Sequence, residues 1–183
     1  MFLTGDMADP IPLLADSFED RTARAVARGI CRLFARNGVW CIGEMPLEPN
    51  SGQGTRTPRR RADLMGIDPK GCLVIVEIKV SRADLLGDAK WPDYLDHCDR
   101  FYWGLPPSLD RSCLDGEGFR PDCCGVIVAD GYDAEIVRPA PSRPLAAARR
   151  KAGIERLARA SLRRHLVGLD PECGAWAGAG AGD

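Results

Sequence analysis

The sequence predicts an α/β fold, a mixed central sheet flanked by helices, on three observations. Leu73-Val74-Ile75-Val76-Glu77-Ile78-Lys79-Val80 is a near-continuous aliphatic run of the kind found in strands buried on both faces. Ahead of it lies the shorter strand-like run Arg59-Arg60-Arg61-Ala62-Asp63-Leu64-Met65-Gly66-Ile67. Asp68-Pro69-Lys70-Gly71 joins the two with turn residues, so they read as a hairpin. Helical patterning brackets this sheet, over residues 18–36 before it and 145–169 after it.

Each element has its own local reason. In the first helix Phe18, Ala23, Val26, Ile30, Leu33 and Phe34 recur at helical spacing, and Asn37-Gly38 supplies the stop. Residues 39–46 form a short strand, and a Gly/Ser/Thr-rich loop over 49–58, expected to be mobile, leads to the hairpin. Ser81-Arg82-Ala83-Asp84 has the form of a helix N-cap with an acid three residues on, predicting a helical stretch through Asp88 and Lys90. Pro92 suits the first turn of a further helix reaching Arg100. Residues 101–105 and 125–129 are strands, and Asp130-Gly131 turns the chain into a third at 135–137. One domain, residues 18–169, follows an N-terminal extension over 1–17, and a low-complexity tail expected to be disordered covers 170–183.

The chemistry is concentrated in the buried run. Glu77 and Lys79 are two residues apart, so a strand points them to the same face, and an unpaired charge there costs several kcal/mol. They neutralise one another or serve a site. With the turn centred near Lys70, the hairpin register sets Asp63 opposite Glu77, where cross-strand Cβ atoms lie roughly 5 Å apart. Two carboxylates that close share a proton or bind a hard divalent cation such as Mg2+. Lys79 beside them is placed to orient or help deprotonate a water, or to stabilise charge on a phosphate.

Asp63 followed by Glu77-x-Lys79 across a hairpin resembles the PD-(D/E)XK nuclease superfamily, with Ala62 in place of the nominal Pro. Arg60-Arg61-Ala62-Asp63, Val76-Glu77-Ile78-Lys79-Val80-Ser81, Asp88-Ala89-Lys90-Trp91-Pro92-Asp93-Tyr94, Cys98-Asp99-Arg100-Phe101-Tyr102 and Ala148-Arg149-Arg150-Lys151 narrow the likeness to the MmcB-like DNA repair family. That resemblance implies a restriction-endonuclease-like core and a bacterial, DNA-directed, Mg2+- or Mn2+-dependent phosphodiesterase. Asp63 and Glu77 would carry the metal, and Lys79 would complete the site. The superfamily also places a third carboxylate upstream of the Asp. Glu44, in an apolar strand, is preferred over Glu19, which stands at a helix start where acids are expected anyway. DNA is the implied partner, with other repair proteins beside it.

Ser81, Asp88, Lys90 and Tyr94 follow the catalytic strand and are candidate substrate contacts, weighed against capping and packing roles. Arg60 and Arg61 precede Asp63, while Arg149, Arg150 and Lys151 belong to a C-terminal segment with a large excess of positive charge. Both groups are candidate phosphate contacts in a chain of net charge −1. No stacking platform or recognition-helix motif is visible, so backbone or shape recognition is expected. No Gly-x-x-x-x-Gly-Lys loop supports a nucleotide hydrolase, and no haem or nucleotide cofactor is expected. Eight cysteines without a Cys-x-x-Cys pair, and two histidines, read as reduced residues and not as zinc ligands. The start Met1-Phe2-Leu3-Thr4-Gly5-Asp6 lacks a basic, then apolar leader and no run spans a membrane, so the expectation is cytoplasmic.

Overall fold

The computed structural model describes residues 18–47 and 60–176. The loop over 49–58 and the N-terminal extension over 1–17 fall outside the described residues. Six strands form one sheet in the order of the chain: β1 (Trp40–Leu47), β2 (Arg60–Ile67), β3 (Leu73–Ile78), β4 (Arg100–Leu105), β5 (Cys124–Ala129) and β6 (Ala134–Arg138). The β1-β2, β2-β3 and β5-β6 pairs are antiparallel, whereas β3-β4 and β4-β5 are parallel. The sheet is therefore mixed, and its strands β3, β4 and β5 are buried along almost their whole length. All six residues of β3 are buried.

Helices cover both faces. Helix α1 (Phe18–Arg36) lays Val26, Ile30 and Phe34 against Leu64, Val74, Val76, Ile78, Tyr102 and Ile127. The opposite face carries Met45, Met65, Leu73, Ile75, Phe101, Trp103 and Val126, and α3 (Ala147–Leu169) reaches it through Leu157. Alternation along β3 divides these cores: Leu73, Ile75 and Glu77 face one way, Val74, Val76 and Ile78 the other. Helix α1 approaches the β5-β6 turn so closely that a Cβ on Gly29 would collide with the carbonyl oxygens of Asp130 and Asp133.

The segment between β3 and β4 differs from the expected one. Helix α2 (Arg82–Gly87) ends at Gly87, so Asp88 is its C-cap and Lys90 lies beyond it. Ser81 caps the helix as expected, accepting from the Asp84 amide at 3.3 Å. The predicted helix to Arg100 is only a 3₁₀ stretch, Trp91–Asp96, which buries Trp91 and Tyr94. It stops because Asp99 is claimed by other partners. Asp99 is 1% exposed and accepts from the amides of Leu73 and Leu145, each at 2.8 Å, while Arg150 holds the same carboxylate at 2.5 Å. One carboxylate thus ties the start of β3 to the entry of α3. The segment expected as a tail begins with the short helix α4 (Glu172–Trp176), and residues 177–183 lie outside the described residues.

Candidate functional site

The hairpin places the acids where the spacing predicted. Leu64 pairs with Val76 and Ile67 with Leu73, and the same register carried one residue further sets Asp63 opposite Glu77. The ladder itself stops at Leu64. From there Asp63 takes over with its side chain, Oδ2 accepting the Ile78 amide at 2.7 Å. This hydrogen bond fixes the carboxylate at the end of β3 beside Glu77 and Lys79.

Glu77 and Lys79 are buried, 7% and 6% exposed. The Lys79 ammonium lies 3.3 Å from Glu77 Oε1, 2.8 Å from Asp88 Oδ2 and 3.5 Å from Asp84 Oδ1. Asp88 reaches it because α2 ends after Gly87, and its second oxygen accepts the Lys90 amide at 2.9 Å. Glu77 Oε2 is buried without a hydrogen-bond partner among the described residues, as is Nε1 of Trp103, the β4 residue paired with Glu77.

One ammonium among four carboxylates leaves a surplus of negative charge. Burial and the charge of Asp63 push Glu77 up to about 8, with Lys79 opposing. Asp63 is also raised, chiefly by burial, against the Ile78 amide and Lys79, which favour its charged form. Burial alone would pull Lys79 down. The Asp88 hydrogen bond and the charges of Glu77, Asp88 and Asp84 together outweigh it and hold the ammonium above its ordinary value. Lys79 is therefore a fixed cation here, suited to orienting a water or stabilising an anion more than to accepting a proton.

Glu44 sits on the same rung, between Gly43, which pairs with Leu64, and Met45, which pairs with Ala62. Its φ is 51°, a left-handed conformation that is uncommon for a residue with a Cβ. Arg164 of α3 donates to the carbonyls of Gly43 and Glu44 and holds this distortion from outside. The Glu44 side chain is exposed and pairs with Arg61 at 2.5 Å, yet its charge contributes to raising Asp63. Glu19, the rival acid, is exposed near the start of α1.

A comparison with protein families matches residues 11–171 to DNA repair protein MmcB-like. The chain belongs to the MmcB-like DNA repair family. Among solved structures, the SPO1766 protein of unknown function from Silicibacter pomeroyi is similar, with 38% sequence identity and a TM-score of 0.67. The match covers 82% of this chain and 93% of that one. No curated protein matches.

The remaining candidate residues of this MmcB-like chain separate by their partners. Arg60 is bound to Asp93 at 2.8 Å, Arg61 to Glu44, Arg149 to Asp96 at 3.0 Å and Lys151 to Glu155 at 3.8 Å. The pairs of Arg61, Arg149 and Lys151 are exposed on both sides, so a phosphate can exchange for the carboxylate at little cost. Arg150 is different: Asp99, its partner, is fully buried, which makes this arginine a structural anchor. Tyr94 stacks on Phe101 with ring centroids 6.0 Å apart and donates to the Arg61 carbonyl at 3.2 Å. Burial and the nearby Glu77, Asp63 and Asp88 raise its phenol well above the ordinary value. Ser81 is the cap of α2, and Lys90 is exposed at the mouth of the segment.

Asp84 is the site residue that sequence reasoning gave only a capping role. An acid at the third position of a capping box turns back toward the helix start, which here also points it at Lys79; that spacing was the available signal. Among the described residues no three His, Cys, Asp or Glu side chains converge as a ready metal cage, and no helix is long and apolar enough to cross a membrane.

Proposed function

We propose that this protein is a metal-dependent DNA nuclease with a PD-(D/E)XK-like core, acting in DNA repair. The observation that carries the reading is the buried, unpartnered Glu77 Oε2 beside Asp63, in a cluster where three acids, Glu77, Asp84 and Asp88, already share the single Lys79 ammonium. Two adjacent carboxylates with room for water and substrate oxygens are what Mg2+ takes, in contrast to a full protein cage. The residues present therefore fit Mg2+ or Mn2+ held by Asp63 and Glu77, with Glu44 on the same rung as the third acid. A cation there supplies Lewis acidity toward a phosphate oxygen and lowers the pKa of a bound water.

The chain's own residues do the rest. Asp63 is held by the Ile78 amide, so its carboxylate needs little reorganisation to act. Lys79, kept charged by Asp88, stabilises negative charge on the phosphate or orients the attacking water. Arg61 can leave the exposed Glu44 for a DNA phosphate, and Arg149 and Lys151 extend the same contact along α3. Membership in a DNA repair family supports DNA as the substrate class.

A second reading, a nuclease-fold protein that binds DNA or a repair partner without cutting, draws on the ion pairs that already occupy Lys79 and Glu77 Oε1. A cleavage panel separates the two: single-stranded, duplex, flap, abasic and branched DNA, each with Mg2+, Mn2+ or chelator. The nuclease reading expects metal-dependent cleavage of at least one substrate, lost in both Asp63→Asn and Lys79→Ala. Binding across the panel with no cleavage by the parent protein would favour the second reading.

A further inference from the structure

Two of the eight cysteines meet away from the acidic cluster. Cys31 lies on α1 and Cys41 on β1, ten residues apart in sequence, and their Sγ atoms are 3.4 Å from one another. Both are half-buried, so each thiol keeps a path to small solutes. The contact is built by the fold: Cys41 pairs with Gly66 on β2, and a Cβ at position 66 would stand 2.9 Å from the Cys41 Cβ. Any larger residue at 66 would push Cys41 out of its place against α1. Among the described residues the other touching thiols are Cys123 and Cys124, 3.7 Å apart, but both are buried, as is Cys98.

We propose that Cys31 and Cys41 are a redox-responsive pair that closes to an intramolecular disulfide on meeting a low-molecular-weight disulfide such as oxidised glutathione. The thiol–thiol hydrogen bond from Cys41 brings Cys31 down to about 7, against the effect of burial, so Cys31 is the attacking sulfur near neutral pH. Cys41 is raised, by that same hydrogen bond and by burial, so it is the resolving thiol.

The Cys31 thiolate attacks one sulfur of the external disulfide, breaking its S–S bond, and the departing thiolate takes a proton from solvent. Cys41 then gives its proton to solvent, and its sulfur displaces the second external thiolate from Cys31. Two protein thiols are oxidised and one external disulfide is reduced to two thiols. Closing the pair asks the sulfurs to move from van der Waals contact to a bond of about 2.05 Å, a step available to side-chain rotation. The bridge would staple α1 to the β1-β2 hairpin, which carries Glu44 and Asp63 three residues from the Cys41–Gly66 rung.

The test is thiol counting with peptide mapping on the native full chain. The protein is incubated with oxidised glutathione at neutral pH, quenched with an alkylating agent, unfolded and digested. Accessible plus buried thiols should fall from eight to six, with one linked peptide pair containing Cys31 and Cys41. Cys41→Ser should instead keep a stable glutathione adduct on Cys31. A count that stays at eight, a persistent adduct on Cys31 in the parent protein, or a linkage through other cysteines would overturn the proposal. Trp40, next to Cys41 and 69% exposed, provides a second readout. Its fluorescence should change on oxidation and recover with dithiothreitol in the parent protein but not respond in Cys31→Ser, and an equal response in both would count against the pair.

Discussion

Replacing Glu77 by Gln should make the metal-free protein more stable at alkaline pH, although it removes a residue assigned to the site. In the folded chain Glu77 is pushed up to about 8 from its ordinary 4.5, so between those values the native state holds a proton that the unfolded state has released. Stability then falls as pH rises through this window, by about 1.4 kcal/mol per unit, and the loss from pH 5 to pH 8 is on the order of 4 kcal/mol. Gln keeps the size and still offers an oxygen to Lys79, but it does not ionise and does not repel Asp63 or Asp88. Urea unfolding of both proteins in chelator, at steps from pH 5 to pH 9, measures the difference. The parent should lose stability across the series, and Glu77→Gln should lose clearly less, keeping only the fall that the raised Asp63 contributes. Cys31 and His97 are both held below their ordinary values and titrate with the opposite sign, but they are present in both proteins and cancel in the comparison. Parallel curves for the two proteins would refute the claim that Glu77 is buried against its own charge.

Arg150→Ala leaves the buried Asp99 carboxylate without its guanidinium and should shift the urea midpoint clearly downward, whereas loss of a phosphate-binding arginine would leave it unchanged. Replacing Arg149 and Lys151 together with Ala should leave stability within about 0.5 kcal/mol of the parent. It should also flatten the salt dependence of duplex DNA binding by up to about two units if both touch phosphates, read by fluorescence anisotropy. Gly29→Ala forces a methyl into the carbonyls of the β5-β6 turn and should destabilise by about 1–3 kcal/mol in thermal unfolding, despite Ala being the better helix former.

What the sequence made legible was local. The limits of α1, the Ser81 cap and the Asp63–Glu77 rung follow from periodicity, capping chemistry and one turn, all within a few residues of the groups concerned. What it hid depends on distant partners. The helix expected through Asp88 and Lys90 ends at Gly87, and that early stop is what lets Asp88 fold back onto Lys79. The helix expected to reach Arg100 gives way because Asp99 binds Leu73, Leu145 and Arg150, the last of them 51 residues away. Arg150 looked like one more cation in a basic segment, and only the buried acid facing it distinguishes it from Arg149. Glu44 was legible as an acid in an apolar strand, but its left-handed backbone is held by Arg164, 120 residues downstream, and no spacing rule reports that.

The central claim is that Asp63 and Glu77 together hold a divalent cation, and calorimetric titration of Mg2+ and Mn2+ into the DNA-free protein tests it most directly. One site per chain is predicted for the parent, with protons released on binding at pH 7 because Glu77 is protonated there. Asp63→Asn and Glu77→Gln should each lose that binding, and Lys79→Ala should keep it. Equal affinity in the parent, Asp63→Asn and Glu77→Gln would contradict the account.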